Sequence, residues 1–390
     1  MHIAVLTDGI SPYVLGGMQR HSFYLVNSLL ELGEEITLVH SVGEEQDLPS
    51  SEDVKKQFNA NTDKLHVVGL KFPHLNQFPG HYLRESYRYS CEIFEKLESQ
   101  WENFDFVYAK GFTAWCILEK KLKGFHMAPV GLKFHGYEMY QKVNSLKGKL
   151  EQFMFKPPVI FNTRHANIVF SYGGVITSII KKIGVEEDRI AEITGGVHDS
   201  WISNKKLKVG SPRKFIFVGR AERRKGITDL SYAVERLKDS QVEFHWVGPI
   251  SDERKLNQLN CVYHGAISDV AHLQELLDEM DVLVLPSHAE GMPNVVLEAM
   301  SRGCAIIAAD VGAVSMMVSE KNGILVEPGK KTELTRVLEY FTGLDDKALI
   351  EKKEASRELV RQKFLWSEIA KQTQKIIGEI THSSREEFNN

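Results

Sequence analysis

VLVLPSHAEGMPNVVLEAMSRG, residues 282–303, reads as a strand, a loop and a helix in direct succession. VLVLP is a short apolar run with the β-branched content of a buried strand, and the segment after Pro293 is rich in helix formers. Proline suits a first helical turn, because it has no amide hydrogen to leave unpaired and its φ is already helical. The spacing therefore predicts a helix starting near Met292, with the amides of Asn294, Val295 and Val296 pointing out of its N-terminus. Hydrogen bonds and the helix dipole both favour a phosphate at such an end.

Moving outward, the same alternation of short apolar runs and helical patterns fills the chain. IAVLT (3–7), EITLVH (35–40), HVVGL (66–70), FDFVYA (104–109), PVGLKF (129–134) and NIVFSY (167–172) form one series. FIFVG (215–219), VEFHWVG (242–248), VLVLP and AIIAA (305–309) form a second. Continuous apolar strands separated by helices predict parallel α/β sheets covered on both faces. The polar interval SNKKLKVGSPRK (203–214) has the composition of an exposed linker. The expected division is a domain over 1–207 and a second over 208–363, followed by an amphipathic helix from FLWSEIAKQTQKIIGEI (364–380). In such sheets ligands bind beyond the carboxyl ends of strands, so residues just after strands are the candidates.

Composition excludes several classes. A chain of 390 residues is longer than one core usually supports. Its formal charge of −4, from 48 basic and 52 acidic residues, gives no general attraction to nucleic acid. Cys91, Cys116, Cys261 and Cys304 never form a CxxC pair and read as reduced core thiols. The N-terminus MHIAVLTDGI lacks the pattern of a signal peptide, and no apolar run reaches the length that spans a bilayer. A cytoplasmic protein, or one peripheral at the inner membrane face, is expected.

Four charged residues stand where ligands bind. Glu290 lies in the loop before the 282–303 helix and Glu298 about two turns along it, so two carboxylates can accept hydrogen bonds from different hydroxyls of one elongated ligand. Taken alone, Glu298 is equally compatible with a solvated helix face and Glu290 with a helix cap. FIFVGRAERRKGITDL (215–230) puts Arg220 just after a strand and Lys225 just before a helix, a bidentate fork and a point charge that together neutralise a diphosphate. A solvated basic loop is the competing reading. At the first strand, Gly16 and Gly17 precede an amphipathic helix and permit close backbone approach. His135, in KFHGYEMY, follows another strand; by itself it is as compatible with a structural histidine as with a ligand contact.

GGMQRHSF, FHGYE, FVGRAERRKG and EGMPNVVLEAMSRG occur in an order and spacing that resembles the retaining glycosyltransferases of family 4, the group 1 glycosyl transferases. The resemblance covers nearly the whole chain and is most specific from Val282 to Pro328. It implies the GT-B fold, two Rossmann-like α/β domains facing across a cleft, with the helix over 364–381 packing back on the N-terminal domain. It implies that Glu290 and His135 are the catalytic-site residues beside the transferred sugar, with Gly291, Met292 and Pro293 in the same sugar-binding loop. It further implies that Glu298 binds the donor ribose, and that Arg220, Lys225, Gly16, Gly17, Asn294 and Val295 hold the diphosphate. ITGGVHDSW (193–201) departs from the family at Gly195 and His198, and that loop is assigned no role.

The implied reaction moves a hexose-type sugar from a UDP- or GDP-sugar to a glycan or lipid-linked hydroxyl acceptor, with retention, in polysaccharide or glycoconjugate biosynthesis. No Asp-x-Asp occurs in the chain, so no metal and no other cofactor is expected. The stretch YQKVNSLKGKLEQFMFKPP (140–158) mixes Lys142, Lys147, Lys149 and Lys156 with Leu150, Phe153, Met154 and Phe155. It reads either as a membrane-surface or lipid-acceptor face or as a core helix with a lysine-rich solvent face. A non-catalytic sugar-nucleotide-binding partner of another transferase, a sugar-nucleotide epimerase and a glycosyl phosphorylase are the other readings left open.

Overall fold

The computed structural model of the chain describes residues 1–14, 16–75, 78, 80–140, 146–237 and 241–389. They form two compact units, one of Met1–Thr194 with Trp366–Asn390 and one of Gly195–Leu365.

The first unit holds a 7-stranded sheet of β1 (His2–Leu6), β2 (Glu35–Val42), β3 (Leu65–Lys71), β4 (Phe106–Lys110), β5 (Val130–Lys133), β6 (Ile168–Ser171) and β7 (Ile190–Glu192), in the order β3-β2-β1-β4-β5-β6-β7. Every pair is parallel. Strands such as Ala305–Ala309, buried at every position, are continuous apolar runs because helices cover both faces. Trp366, Ile369 and Ile377 of the C-terminal helix Trp366–Asn389 lie in this unit's core with Leu25, Val26 and Leu29 of the helix Gly17–Glu31.

The second unit holds a 6-stranded sheet of β8 (Arg213–Val218), β9 (Val242–Val247), β10 (Cys261–Gly265), β11 (Val282–Leu285), β12 (Ala305–Ala309) and β13 (Gly323–Val326), in the order β10-β9-β8-β11-β12-β13. These pairs too are parallel. The order reverses between β1 and β4 in one sheet and between β8 and β11 in the other. In such sheets the usual ligand position lies beyond the carboxyl ends of the strands at the reversal.

Three expectations change. The division falls at Thr194/Gly195 rather than at 207/208. The interval 203–214, exposed at several positions, is part of the second unit and bonded to it through its backbone: Ser203 N donates to Ser301 O, Arg357 donates to Ser203 O and Lys205 O, and Gly210 N reaches the Asp281 carboxylate. Strands β7, β10 and β13 were not expected, and each lies at a sheet edge, where a strand needs no unbroken apolar run; CVYHG of β10 is only partly buried. The helix of the 282–303 segment starts at Asn294, with Pro293 as its N-cap in extended conformation rather than in the first turn near Met292. Its Val296 amide is taken by the Pro293 carbonyl at 3.1 Å, which leaves Asn294 and Val295 at the helix head.

Of the 140–158 stretch, Lys142 and the Lys147 side chain lie outside the described residues. Phe155 packs against the rings of Tyr82 and Phe112, while Leu150 and Phe153 of the helix Leu146–His165 are exposed. No helix among the described residues is long and apolar enough to cross a membrane.

Candidate active site

At the switch point of the second sheet, the loop after β8 (219–226) and the loop after β11 (286–293) are fastened to each other. Gly226 has φ +70, and a Cβ there would collide with the Pro286 carbonyl, so only glycine lets the loops approach this closely. His288 N donates to Arg224 O at 2.7 Å, and Arg224 returns a bond from NH1 to Ala289 O at 3.0 Å. His288 Nε2 sits 2.6 Å from Asp229 Oδ2 of the following helix.

This fastening brings the predicted residues together. Lys225 Nζ lies 2.6 Å from Glu290 Oε1, with both side chains largely buried, and Arg224 NH1 lies 3.6 Å from Glu290 Oε2. Arg224 also approaches Glu222 at 3.6 Å, and Glu222 pairs with Arg220 at 3.0 Å. The result is a charge-alternating row, Arg220, Glu222, Arg224, Glu290 and Lys225, running from an Arg220 side chain 70% exposed to a Glu290 residue only 6% exposed. Desolvation strengthens the Lys225–Glu290 end, while the Arg220 end is screened by water.

Glu290 is not a helix cap, since the helix begins four positions later and its carboxylate is engaged by the basic loop. Glu298 is 5% exposed, which excludes a solvated helix face. Two supports were not legible in the sequence. The loop after β12 puts Gly312, at φ +58, against the Glu290 and Gly291 carbonyls, where any side chain would collide, and Ala313 N donates to Gly291 O at 2.7 Å. Gly195, in the loop assigned no role, donates its amide to Met292 Sδ at 3.0 Å. Both contacts join segments remote in sequence, and neither has a local pattern. Arg224 was read only as part of a basic loop.

His135, Gly16 and Gly17 belong to the first unit. Gly16 caps the helix Gly17–Glu31 with φ 164, an extended backbone open to any residue, but a Cβ there would meet the amide oxygen of the Gln19 side chain. His135 follows β5, and its Nδ1 lies 2.7 Å from the Tyr172 hydroxyl, while Nε2 is buried with no partner among the described residues. Around it stand Lys110 and Lys133, the last residues of β4 and β5, both buried, and His21, whose ring meets that of His135 edge-on at 4.9 Å.

Residues 212–341 match the family model described as Glycosyl transferases group 1. TuaC of Bacillus subtilis, provisionally named as a teichuronic acid biosynthesis glycosyltransferase, is 34% identical over 129 residues, 33% of each chain. This chain spans a third or less of the length of the first curated relatives it matches. Among solved structures, sucrose-phosphate synthase of Thermosynechococcus elongatus superposes with a TM-score of 0.78 at 17% identity, covering 98% of this chain and 99% of that one. HepE of Anabaena, in complex with UDP and glucose, gives 0.67 at 16% identity over 97% and 100%. The two parallel sheets with these neighbours define a GT-B fold. Residues 212–341, within the second unit, are the part of the chain that is similar to the group 1 glycosyl transferases.

Proposed function

We propose that the protein is a retaining glycosyltransferase that moves a hexose-type sugar from a nucleoside-diphosphate sugar to a hydroxyl acceptor in polysaccharide or glycoconjugate biosynthesis. The observation that carries this reading is the buried Lys225–Glu290 pair at the switch point, a cation and a carboxylate set side by side, which supports a ligand that carries both a diphosphate and a sugar. The HepE complex with UDP and glucose supports a nucleotide-sugar donor, and the TuaC match supports a polysaccharide product.

The barrier lies largely in departure of the diphosphate. Lys225, Arg220 and the amides of Asn294 and Val295 stabilise the charge that develops on it, a preorganised electrostatic contribution. Diphosphate displaces Glu222 from Arg220 as it binds. Within the second unit Glu290 positions the sugar, Gly291, Met292 and Pro293 shape its pocket, and Glu298 takes the ribose hydroxyls. The bond between the anomeric carbon and the phosphate oxygen breaks, the acceptor oxygen bonds on the same face, and its proton leaves with the phosphate. With this supply of cations the reaction runs without a metal, and EDTA leaves turnover unchanged. Exposed Leu150 and Phe153 support a lipid-linked acceptor or a peripheral membrane contact.

Incubating the purified chain with UDP-glucose, GDP-mannose and ADP-glucose tests this reading. Slow release of nucleoside diphosphate and free sugar from one donor is expected. Formation of an epimer, or turnover that requires inorganic phosphate, contradicts it.

A further inference from the structure

Glu290 touches two cations, and the donor reading uses only one of them. Lys225 Nζ lies 2.6 Å from Glu290 Oε1, and the two side chains are 16% and 7% exposed. Arg224 NH1 lies 3.6 Å from Glu290 Oε2, an ion-pair contact just beyond hydrogen-bond reach. That guanidinium is fastened to the loop that carries Glu290. The Arg224 carbonyl accepts from His288 N at 2.7 Å, and NH1 donates to Ala289 O at 3.0 Å. NH1 carries two hydrogens, so one can turn to Glu290 while the other holds Ala289. All of these groups belong to the second unit.

Lys225 cannot serve Glu290 and a diphosphate equally well. Its ammonium is a point charge, and phosphate oxygens compete with the carboxylate for the same three hydrogens. As the ammonium turns toward phosphate, a carboxylate on a residue only 6% exposed loses its nearest counter-ion beside an incoming anion. A buried charge left without its partner is strongly unfavourable, because water does not replace the lost contact there. Arg224 is already in place to take over. Charge-assisted hydrogen bonds run about 2.7–2.9 Å, so the 3.6 Å gap closes with a movement of about 1 Å or less. Glu222 also approaches Arg224, at 3.6 Å from NH2, but its side chain is 38% exposed and its pull is screened by water.

We propose that Arg224 is the positioning residue that keeps Glu290 compensated when a diphosphate draws Lys225 away, so that the carboxylate stays ionised and in place while the ammonium turns to the ligand. This rests on the reading that Lys225 receives the diphosphate. The two cations around one carboxylate then act in sequence, Lys225 before the ligand binds and Arg224 after. The consequence is a coupling. Arg224 strengthens diphosphate binding only while residue 290 carries a negative charge, whereas a direct phosphate ligand or a plain loop fastener strengthens it whatever stands at 290.

The test is a double-mutant cycle on the full chain, read by calorimetric binding of UDP, GDP and ADP without sugar. For whichever nucleotide binds the wild type, Arg224→Gln should weaken binding about tenfold, the scale of truncating one partner of a buried charge pair. In a Glu290→Gln background Lys225 is already released, and the same Arg224→Gln change should weaken binding by about twofold or less. A loss as large in the Glu290→Gln background as in the wild type, or no loss in either, overturns the proposal. Arg224→Lys keeps the charge and should recover part of the loss. If Glu290→Gln does not fold, that comparison decides alone, and Arg224→Lys as impaired as Arg224→Gln overturns the proposal. If no nucleotide of the three binds the wild type, or if Lys225→Ala binds it as tightly as the wild type does, the reading of Lys225 fails, and with it the role given to Arg224.

Discussion

The two switch points carry opposite electrostatics. In the second unit, cations and carboxylates alternate along Arg220, Glu222, Arg224, Glu290 and Lys225, so the site is charged but internally compensated. In the first unit, Lys110, Lys133, His21 and His135 crowd together, and burial relieves the repulsion by pushing them toward their neutral forms, Lys133 down to about 7. Asp8, a carboxylate that interacts with Lys110 and is bonded by Gln19 at 3.2 Å, is itself pushed up to about 6 by burial. On the proposed function a ligand's charge would be met in the second unit by exchanging ion-pair partners, while the polar groups of the first unit carry little net charge.

The contrast breaks most visibly if the buried ion pair is removed. Glu290→Ala and Lys225→Ala should each lower kcat by about 10²–10³-fold with the fold intact, the scale of a lost transition-state contact. Retained activity and an unchanged circular dichroism spectrum in both would dissolve the distinction. Gly312→Ala should cost about tenfold or more in kcat while every charged group stays in place, because the new Cβ pushes on the Glu290 and Gly291 carbonyls and small misplacements are expensive. Steady-state kinetics at saturating donor read it directly.

In the first unit the folded-state pKa of Asp8 lies above its unfolded value, so the native state holds its proton more tightly and loses stability as pH rises from about 4 to about 6. Asp8→Asn should therefore raise Tm by a few degrees at pH 7 and have no effect below about pH 4. The smallest effect belongs to Glu222→Gln. Freeing the exposed Arg220 from an ion pair worth about 0.2–1 kcal/mol should lower donor KM by up to about fivefold with kcat unchanged.

The same contrast governs what could be read from residue order. Interior strands such as AIIAA announce themselves because burial on both faces leaves no room for polar residues, whereas CVYHG at an edge does not. Glu290, Lys225 and Arg220 were legible because each follows a strand end near a glycine or a helix start. The clamp of Gly312 on Glu290, the Gly195–Met292 bond and the Tyr172–His135 bond were not, since a contact between remote segments leaves no local period. Tyr172 was quoted only as the end of NIVFSY, Lys133 only within PVGLKF and KFHGYEMY, and Lys110 not at all, because periodicity reports burial and not what a buried polar group touches. The 203–214 interval misled for the same reason: several of its side chains are solvated, yet its backbone is bonded to remote segments of the second unit.

The central claim is that the Lys225–Glu290 end of the second unit receives the diphosphate sugar. Thermal shift of the wild type and of Lys225→Ala against UDP-, GDP- and ADP-sugars tests it most directly, since a ligand bound to the native state raises Tm by mass action. One member of that panel is predicted to stabilise the wild type, with the shift lost in Lys225→Ala. A panel that leaves the wild type unmoved, or a shift that survives unchanged in the variant, contradicts the account.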